Sequence, residues 1–353
     1  MKIGVNFSYK LIASRGIARY IENLLANLHT SDDEYYFFIP KNTTLNYDFS
    51  ITKHIVEIDT HNYFIFEHIK IPKEIRKYQI DVLINPANTV PMIKNTKWLS
   101  VIHDVIPFKL NTTLFSKKWL INVYMRYVMK KSITKSDRLL TVSMYSKHDI
   151  ESLKFKHKKI SVIYNGFNHK KNINMINNEK NETHFPKEHI FWLGGDGYNK
   201  NMKLVQEILL RGKINKTICI VGLKKEENIQ LMRKLGANVY IDVSDYELEM
   251  LYTNAKVFIF PSLYEGFGIP ILEALNYKVP YIVSSNTTSL PEVCGNACYL
   301  VNPNSVEDFE TLINNIYENK IVSKCSLYSE QLSKFRWDNE AKKLYDILME
   351  LNK

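Results

Sequence analysis

The stretch Val257-Phe-Ile-Phe-Pro-Ser-Leu-Tyr-Glu-Gly-Phe-Gly-Ile-Pro-Ile-Leu-Glu-Ala-Leu-Asn276 reads as three elements in succession. Val257 to Phe260 is a continuous apolar run of strand length, and Pro261 ends it. Gly266 and Gly268 bracket Phe267 in the loop that follows, so the backbone there can turn sharply and let a ligand come close. Pro270 sits where the first turn of a helix tolerates proline. Strand, glycine turn and helix N-terminus together present unpaired N–H groups and the positive end of a helix dipole, which suits an anion such as a diphosphate.

Two carboxylates are set into this element, Glu265 on the loop and Glu273 in the early helix, with seven residues between them. Solvated surface charge is the plain reading of any glutamate. These two, however, are flanked by an apolar strand, by Leu272 and by Ala274, and the sharper reading is that they accept hydrogen bonds from sugar hydroxyls.

Outward from this centre the chain alternates short strands with helices. Strands are expected at residues 2–7, 35–40, 51–58, 81–85, 98–102, 138–142 and 160–164, then at 190–193, 217–221, 239–241, 257–260, 281–283 and 298–301. A polar loop, 8–14, leads through Arg15-Gly-Ile-Ala-Arg-Tyr20 into a helix over 21–28. Pro72 opens a helix over 73–78, Ser143 caps one over 145–153, and Lys200-Asn201 opens one over 202–210. Residues 169–186 are rich in Asn, Lys and Glu and read as a linker between domains 1–168 and 187–335. The fold class is therefore α/β, two parallel doubly wound domains facing each other.

Length agrees, because 353 residues exceed one ordinary core. No apolar run approaches the length of a bilayer, and Met1-Lys-Ile-Gly-Val-Asn6 reads as a strand and not a secretion signal, so a cytosolic protein is expected. In that compartment the four cysteines are thiols, and the sequons at Asn42, Asn111 and Asn181 carry no meaning. Cys294 and Cys298 lack the neighbouring histidine or second pair that a zinc site needs.

The formal charge of +10 is uneven: residues 1–170 hold 26 Lys and Arg against 14 Asp and Glu, and the remainder 21 against 23. A basic first half favours an anionic partner, whether nucleic acid, an acidic membrane face or a pyrophosphate-linked lipid. Lys70 and the basic 73–78 helix are placed for lipid phosphates or are simply a solvated face. Residues 114–136 form a long helix in which Lys117, Lys118, Arg126, Lys130, Lys131 and Lys135 mingle with Trp119, Tyr124 and Tyr127. Its apolar residues make no clean stripe, so it is not read as a dedicated membrane helix, and peripheral contact with the anionic inner membrane face stays open.

The pair Glu265 and Glu273, within Phe260-Pro-Ser-Leu-Tyr-Glu-Gly-Phe-Gly-Ile-Pro-Ile-Leu-Glu-Ala274, resembles the signature of the retaining GT-B glycosyltransferases of family four. Many of these move mannose or other hexoses in the synthesis of bacterial surface polysaccharides, the O-antigen of lipopolysaccharide among them. Tyr20, His103-Asp104, Tyr164-Asn165-Gly166, Lys200-Asn201 and Ser289-Leu-Pro-Glu292 follow the same pattern in the same order, so the resemblance covers nearly the whole chain.

The resemblance implies two facing Rossmann-like domains. The first takes the acceptor, with a last helix over about 336–353 packing back onto it, and the second takes a nucleotide-sugar donor. Lys200 and Asn201 would meet the diphosphate, with backbone donors from the Ile269–Pro270 helix start. Glu265, with the backbone of Gly266, Phe267, Gly268 and Ile269, would hold the transferred sugar, and Glu273 the ribose. His103 and Asp104 would face the donor, and Gly16 and Arg19 would bring the first loop to donor and acceptor. His103, Glu265 and Lys200 form the catalytic set, working by front-face substitution with retention. Because protein groups neutralise the leaving diphosphate, no metal or other cofactor is expected. Where relatives often carry a second basic residue before the lysine, this chain has Gly194, Gly195 and Gly197, and Arg19 is expected to compensate.

GDP-mannose is the first choice of donor, since the 16–20 loop and His103-Asp104 resemble mannosyltransferases most; a UDP-hexose or GDP-fucose donor is the alternative. Base recognition is assigned to 222–225 and 243–248, and the acceptor to a saccharide on a lipid pyrophosphate. Three rivals stand beside this reading. A glycosidase also uses two carboxylates but has no need of Lys200 and a helix-start anion site. A sugar-nucleotide epimerase can share the architecture. Nucleic acid is not expected as a partner, because no zinc finger, RRM or helix-turn-helix pattern accompanies the positive charge.

Overall fold

The computed structural model describes residues 1–12, 15–28, 33–45, 49–109, 117–167 and 185–352, without the side chains of Arg15, Lys117 and Lys118. The expected linker therefore lies outside the described residues except for its last two positions, as do Asn111, Asn181 and the start of the 114–136 helix. The chain divides into two compact units, Met1–Gly166 with Phe335–Lys353, and Phe167–Lys334.

Unit 1 holds a parallel seven-stranded sheet built from β1 (Lys2–Asn6), β2 (Glu34–Pro40), β3 (Thr52–Ile58), β4 (Val82–Asn85), β5 (Lys97–Ile102), β6 (Arg138–Thr141) and β7 (Ile160–Val162), in the order β3-β2-β1-β4-β5-β6-β7. Unit 2 holds a parallel six-stranded sheet of β8 (His189–Leu193), β9 (Ile218–Val221), β10 (Asn238–Tyr240), β11 (Ala255–Phe260), β12 (Tyr281–Ser285) and β13 (Tyr299–Val301), in the order β10-β9-β8-β11-β12-β13. Every expected strand forms with its ends within two residues of expectation, because strands buried on both faces read as plain apolar runs. Each order reverses once, between β1 and β4 and between β8 and β11, and ligands of doubly wound sheets bind outside the strand ends at such reversals.

The helices need three corrections. The first runs over Arg15–Ala26, so Gly16, Arg19 and Tyr20 lie in its opening turns and not on a loop. Ile17, Tyr20, Ile21, Leu24 and Leu25 already have the 3–4 spacing that draws those turns in. Pro72 does not open its helix, because helical backbone begins at Tyr63 and passes through a wider π turn over Phe66–Lys70. The Ile71 N–H there reaches back to the Phe66 carbonyl, a widening that accommodates a proline that would otherwise clash one turn back. Lys200, finally, ends a short 3₁₀ turn, Tyr198–Lys200, and left-handed Asn201 (φ 57°) separates it from the helix Met202–Arg211.

The closing helix, Trp337–Asn352, packs on unit 1. Trp337 covers Gly166, where a Cβ would fall 2.4 Å from the indole, and Glu340 accepts the Tyr164 N–H at 2.9 Å. In unit 2 the core gathers Ile190, Trp192, Val205, Ile220, Val257 and Ile259 on and around the central strands, which fixes the loops at their carboxyl ends.

Candidate active site

At the β8/β11 reversal, the loop after each strand is bonded to the other. Leu263 N–H donates to the Asn199 carbonyl at 2.8 Å, and the Asn199 amide returns a bond to the Tyr264 carbonyl at 3.1 Å. Beside them Lys200 Nζ stands 2.7 Å from Glu265 Oε1 and 5.4 Å from the Phe260 ring centroid. The ion pair joins residues far apart in sequence, and it is largely shielded, with the lysine side chain 27% and the glutamate 13% exposed. Asn201 turns inward: its amide donates to the Pro261 and Pro303 carbonyls at 3.0 and 2.8 Å, so its side chain braces the site from behind.

The Glu265 loop has a second brace. Ser289 Oγ lies 3.0 Å from the Glu265 carbonyl and 2.8 Å from the Phe267 carbonyl, and Thr288 Oγ1 accepts the Glu265 N–H at 3.3 Å. Thr288 holds a left-handed backbone (φ 58°), an uncommon conformation for a β-branched residue and of the kind found where a site demands it. In the motif Ser289-Leu-Pro-Glu292 the serine thus serves to hold the Glu265 loop.

Gly268 caps the helix Ile269–Asn276 with φ 115°, and a Cβ there would meet Leu290 at 2.8 Å. The helix tip offers fewer donors than a generic one, since Pro270 has no N–H and Ile271 donates to the Gly268 carbonyl at 3.0 Å. Phe267 is buried and Gly266 half-buried. One turn on, half-buried Glu273 accepts from Tyr252 Oη at 3.0 Å, and the Tyr252 ring stacks on Tyr277. Asp196 binds the loop after β9: it accepts the Lys224 and Lys225 N–H groups at 2.8 and 3.1 Å and the Asn228 amide at 2.7 Å. Burial opposes its charge, but those donors prevail and hold the carboxyl below its ordinary range.

In unit 1, His103 follows β5. Its N–H donates to Asn88 Oδ1 at 2.7 Å, its Nε2 lies 2.7 Å from the Pro86 carbonyl, and its ring meets Tyr20 edge-on. A carbonyl only accepts, so Nε2 carries the proton and Nδ1 is left as the ring's acceptor. Burial lowers the imidazole to about 4 against the effect of the Pro86 bond, so the ring is neutral near pH 7 and suits hydrogen bonding more than proton transfer. Tyr20, fully buried, donates to the Ile163 carbonyl at 3.1 Å. Asp104 accepts the Ile106 N–H at 2.9 Å and starts the short helix Ile106–Lys109. Gly16 is exposed, with nothing within 4 Å of where its Cβ would stand, and the Arg19 carbonyl accepts from the Asn23 amide at 2.6 Å.

Lys200, Asn201, Glu265, Gly266, Phe267, Gly268, Ile269 and Glu273 thus share one end of the unit 2 sheet, and Gly16, Arg19, His103 and Asp104 lie in unit 1. Sequence reasoning had no role for Asn199, Asp196, Thr288 or Tyr252, whose partners are set by the fold. Among the described residues no three His, Cys, Asp or Glu side chains converge as metal ligands would.

Comparison with known proteins follows the same division. Residues 14–171 match the family model described as Glycosyltransferase Family 4, and residues 175–334 that of Glycosyl transferases group 1. The O-antigen chain mannosyltransferase RfbU of Salmonella typhimurium is 26% identical over 263 residues, 71% of this chain and 69% of that one. The O-antigen chain mannosyltransferase B of Escherichia coli is 54% identical over 65 residues, 18% of this chain and 17% of its own length. Among solved structures, sucrose-phosphate synthase from Thermosynechococcus elongatus superposes with a TM-score of 0.73 at 15% identity, covering 99% of this chain and 98% of that one. Anabaena HepE, solved with UDP and glucose, gives 0.69 at 13% identity and covers 99% and 100%. These two likenesses establish the GT-B fold.

Proposed function

The chain belongs to the glycosyl transferases of group 1, with a family 4 domain ahead of the group 1 domain, and from that membership we propose that it moves mannose from GDP-mannose to a lipid-linked saccharide. The product would be a bacterial surface polysaccharide of the O-antigen kind, a reading supported by the mannosyltransferases among its relatives. A UDP-hexose or GDP-fucose donor would use the same chemistry.

One observation carries the donor reading: the shielded Lys200–Glu265 pair at the β8/β11 reversal. A cation and a carboxylate 2.7 Å apart complement a molecule that carries an anion next to hydroxyls, as a sugar diphosphate does. On binding, Lys200 would turn to the diphosphate, with the helix tip at Ile269 behind it, and Glu265 would be released to sugar hydroxyls. The Ser289 and Thr288 braces hold the Glu265 backbone in place while its side chain changes partners. Glu273 would take the ribose, and neutral His103 would accept a hydroxyl of the transferred sugar at Nδ1. The departing phosphate helps to remove the acceptor proton, with retention at the anomeric carbon, and Lys200 supplies the charge neutralisation that a metal provides elsewhere.

The test is release of nucleoside diphosphate from a panel of nucleotide sugars, with and without EDTA. GDP-mannose is expected to turn over best and EDTA to have no effect. Lys200→Ala and Glu265→Gln are expected to lower kcat by about 100-fold or more, and Glu273→Ala to act mainly on the donor KM. Unchanged kcat in both Lys200→Ala and Glu265→Gln would overturn the assignment.

A further inference from the structure

Glu273 is held from behind. The hydroxyl that it accepts, Tyr252 Oη at 3.0 Å, belongs to a side chain with no exposure to solvent, near the end of the helix Asp245–Asn254. Glu273 and Tyr277 are four residues apart and so share one face of the chain, and both meet Tyr252. The carboxylate takes its hydroxyl, and the Tyr277 ring stacks on its ring with centroids 5.2 Å apart and planes at 20°.

The central strands close the packing on the other side of Tyr252. Phe191 of β8 meets its ring edge-on, with centroids 4.9 Å apart, and Phe258 of β11 lies at 5.4 Å. Phe258 stacks in turn on Phe260, two residues along the same face of β11, and Lys200 Nζ stands over the Phe260 ring. One run of aromatic side chains therefore supports both Glu273 and Lys200. Within that run a phenylalanine at position 252 would fill the same ring space. A buried hydroxyl adds little to packing and is costly unless it finds an acceptor. Its use lies at Glu273: one bond to Oε2 restrains the carboxylate, whose acceptor capacity of about four bonds leaves room for donors arriving at its half-buried side.

We infer that Tyr252 is a positioning residue for the donor, setting the Glu273 carboxylate in the orientation that accepts the ribose hydroxyls. The inference rests on the assignment of Glu273 to the ribose and adds what orients it. Tyr252 itself touches neither the donor nor the reacting atoms. A carboxylate already restrained loses less freedom when the nucleotide arrives, so the restraint acts as affinity for a ribose that carries its 2′- and 3′-hydroxyls.

Calorimetric titration of the full chain with GDP, UDP and their 2′,3′-dideoxy counterparts tests it. The wild-type chain is expected to bind the ribose form of its own nucleotide about tenfold or more tightly than the dideoxy form. Tyr252→Phe keeps the ring and is expected to cut that ratio about fivefold through the ribose form alone, with affinity for the dideoxy form and the melting curve unchanged. Glu273→Ala is expected to abolish the ratio, and the double variant to lose nothing beyond what Glu273→Ala loses. In steady-state kinetics Tyr252→Phe is expected to raise the donor KM by a similar factor, with kcat within about twofold of wild type. A full ratio in Tyr252→Phe, or an equal loss for both nucleotide forms, would overturn the inference and leave Glu273 on the ribose. A full ratio in Glu273→Ala, or a wild-type chain that binds neither nucleotide or does not discriminate, would overturn the assignment of Glu273 and the inference with it.

Discussion

Glu67 is a carboxylate with no exposure to solvent, set in the π turn of unit 1 with Ser8 Oγ 3.3 Å from Oε2 and the Tyr63–Thr89 hydroxyl pair beside it. Burial pushes it up to about 7 against those hydroxyls. An unfolded glutamate titrates near 4.3, so across the interval between the two values the native state holds a proton that the unfolded chain has lost. Stability from this residue is therefore fully present below about pH 4.3 and falls as pH rises to about 7, by on the order of 3 kcal/mol. Glu67→Gln removes the ionisation. It is expected to raise the unfolding midpoint by several degrees at about pH 8 and to change it little at about pH 5, as thermal scans at the two pH values would show. An equal shift at both would place the effect in packing. None of this was legible beforehand: between Phe66 and His68 the glutamate looks like any helical surface charge, and its burial follows from the β1 loop closing over it through Ser8.

At the scale of elements, the donor end of unit 2 behaves as four loops tied into one. The loops after β8 and β11 are joined through Asn199 and Lys200, the loop after β12 holds the Glu265 backbone, and Asp196 binds the loop after β9. Strand, glycine turn and helix over 257–276 could be read directly, because apolar runs, Gly268 and Pro270 are local signals. Lys200 and Glu265 could each be singled out. Their pairing could not, since it depends on β8 and β11 lying side by side. The departure at Gly194, Gly195 and Gly197 also looks different in three dimensions. Where a basic residue might be sought, Asp196 accepts the Lys224 and Lys225 N–H groups just ahead of the helix Glu226–Lys234. If 222–225 reads the base, Asp196→Asn places an amide donor against N–H donors and loosens that loop. The donor KM is then expected to rise about three- to tenfold with kcat nearly constant, in steady-state kinetics over a range of donor concentrations. A fall in kcat at unchanged KM would remove the loop from base recognition.

At the scale of the molecule, unit 1 is discontinuous: its last helix arrives only after the whole of unit 2 has been threaded. That helix buries Trp337, Ala341, Leu344 and Leu348, and its Glu340 is the acceptor for the Tyr164 N–H. Arg138 and Glu350 add an ion pair further along. Its large apolar side chains are worth roughly 1.5–3 kcal/mol each, so together they approach the ~5–15 kcal/mol by which a whole domain is stable. A chain ending at Lys334 would also take the Glu340 carboxylate away from the Tyr164 N–H and uncover the apolar surface beneath the helix. Unit 2 is continuous and retains its sheet and core in such a chain. Truncation after Lys334 is accordingly expected to remove one of two calorimetric transitions and to open residues 1–166 to protease, while 185–334 persists as a resistant fragment. Loss of both transitions would mean that unit 2 cannot stand without unit 1, and an intact pair would mean that the closing helix contributes little beyond its own burial.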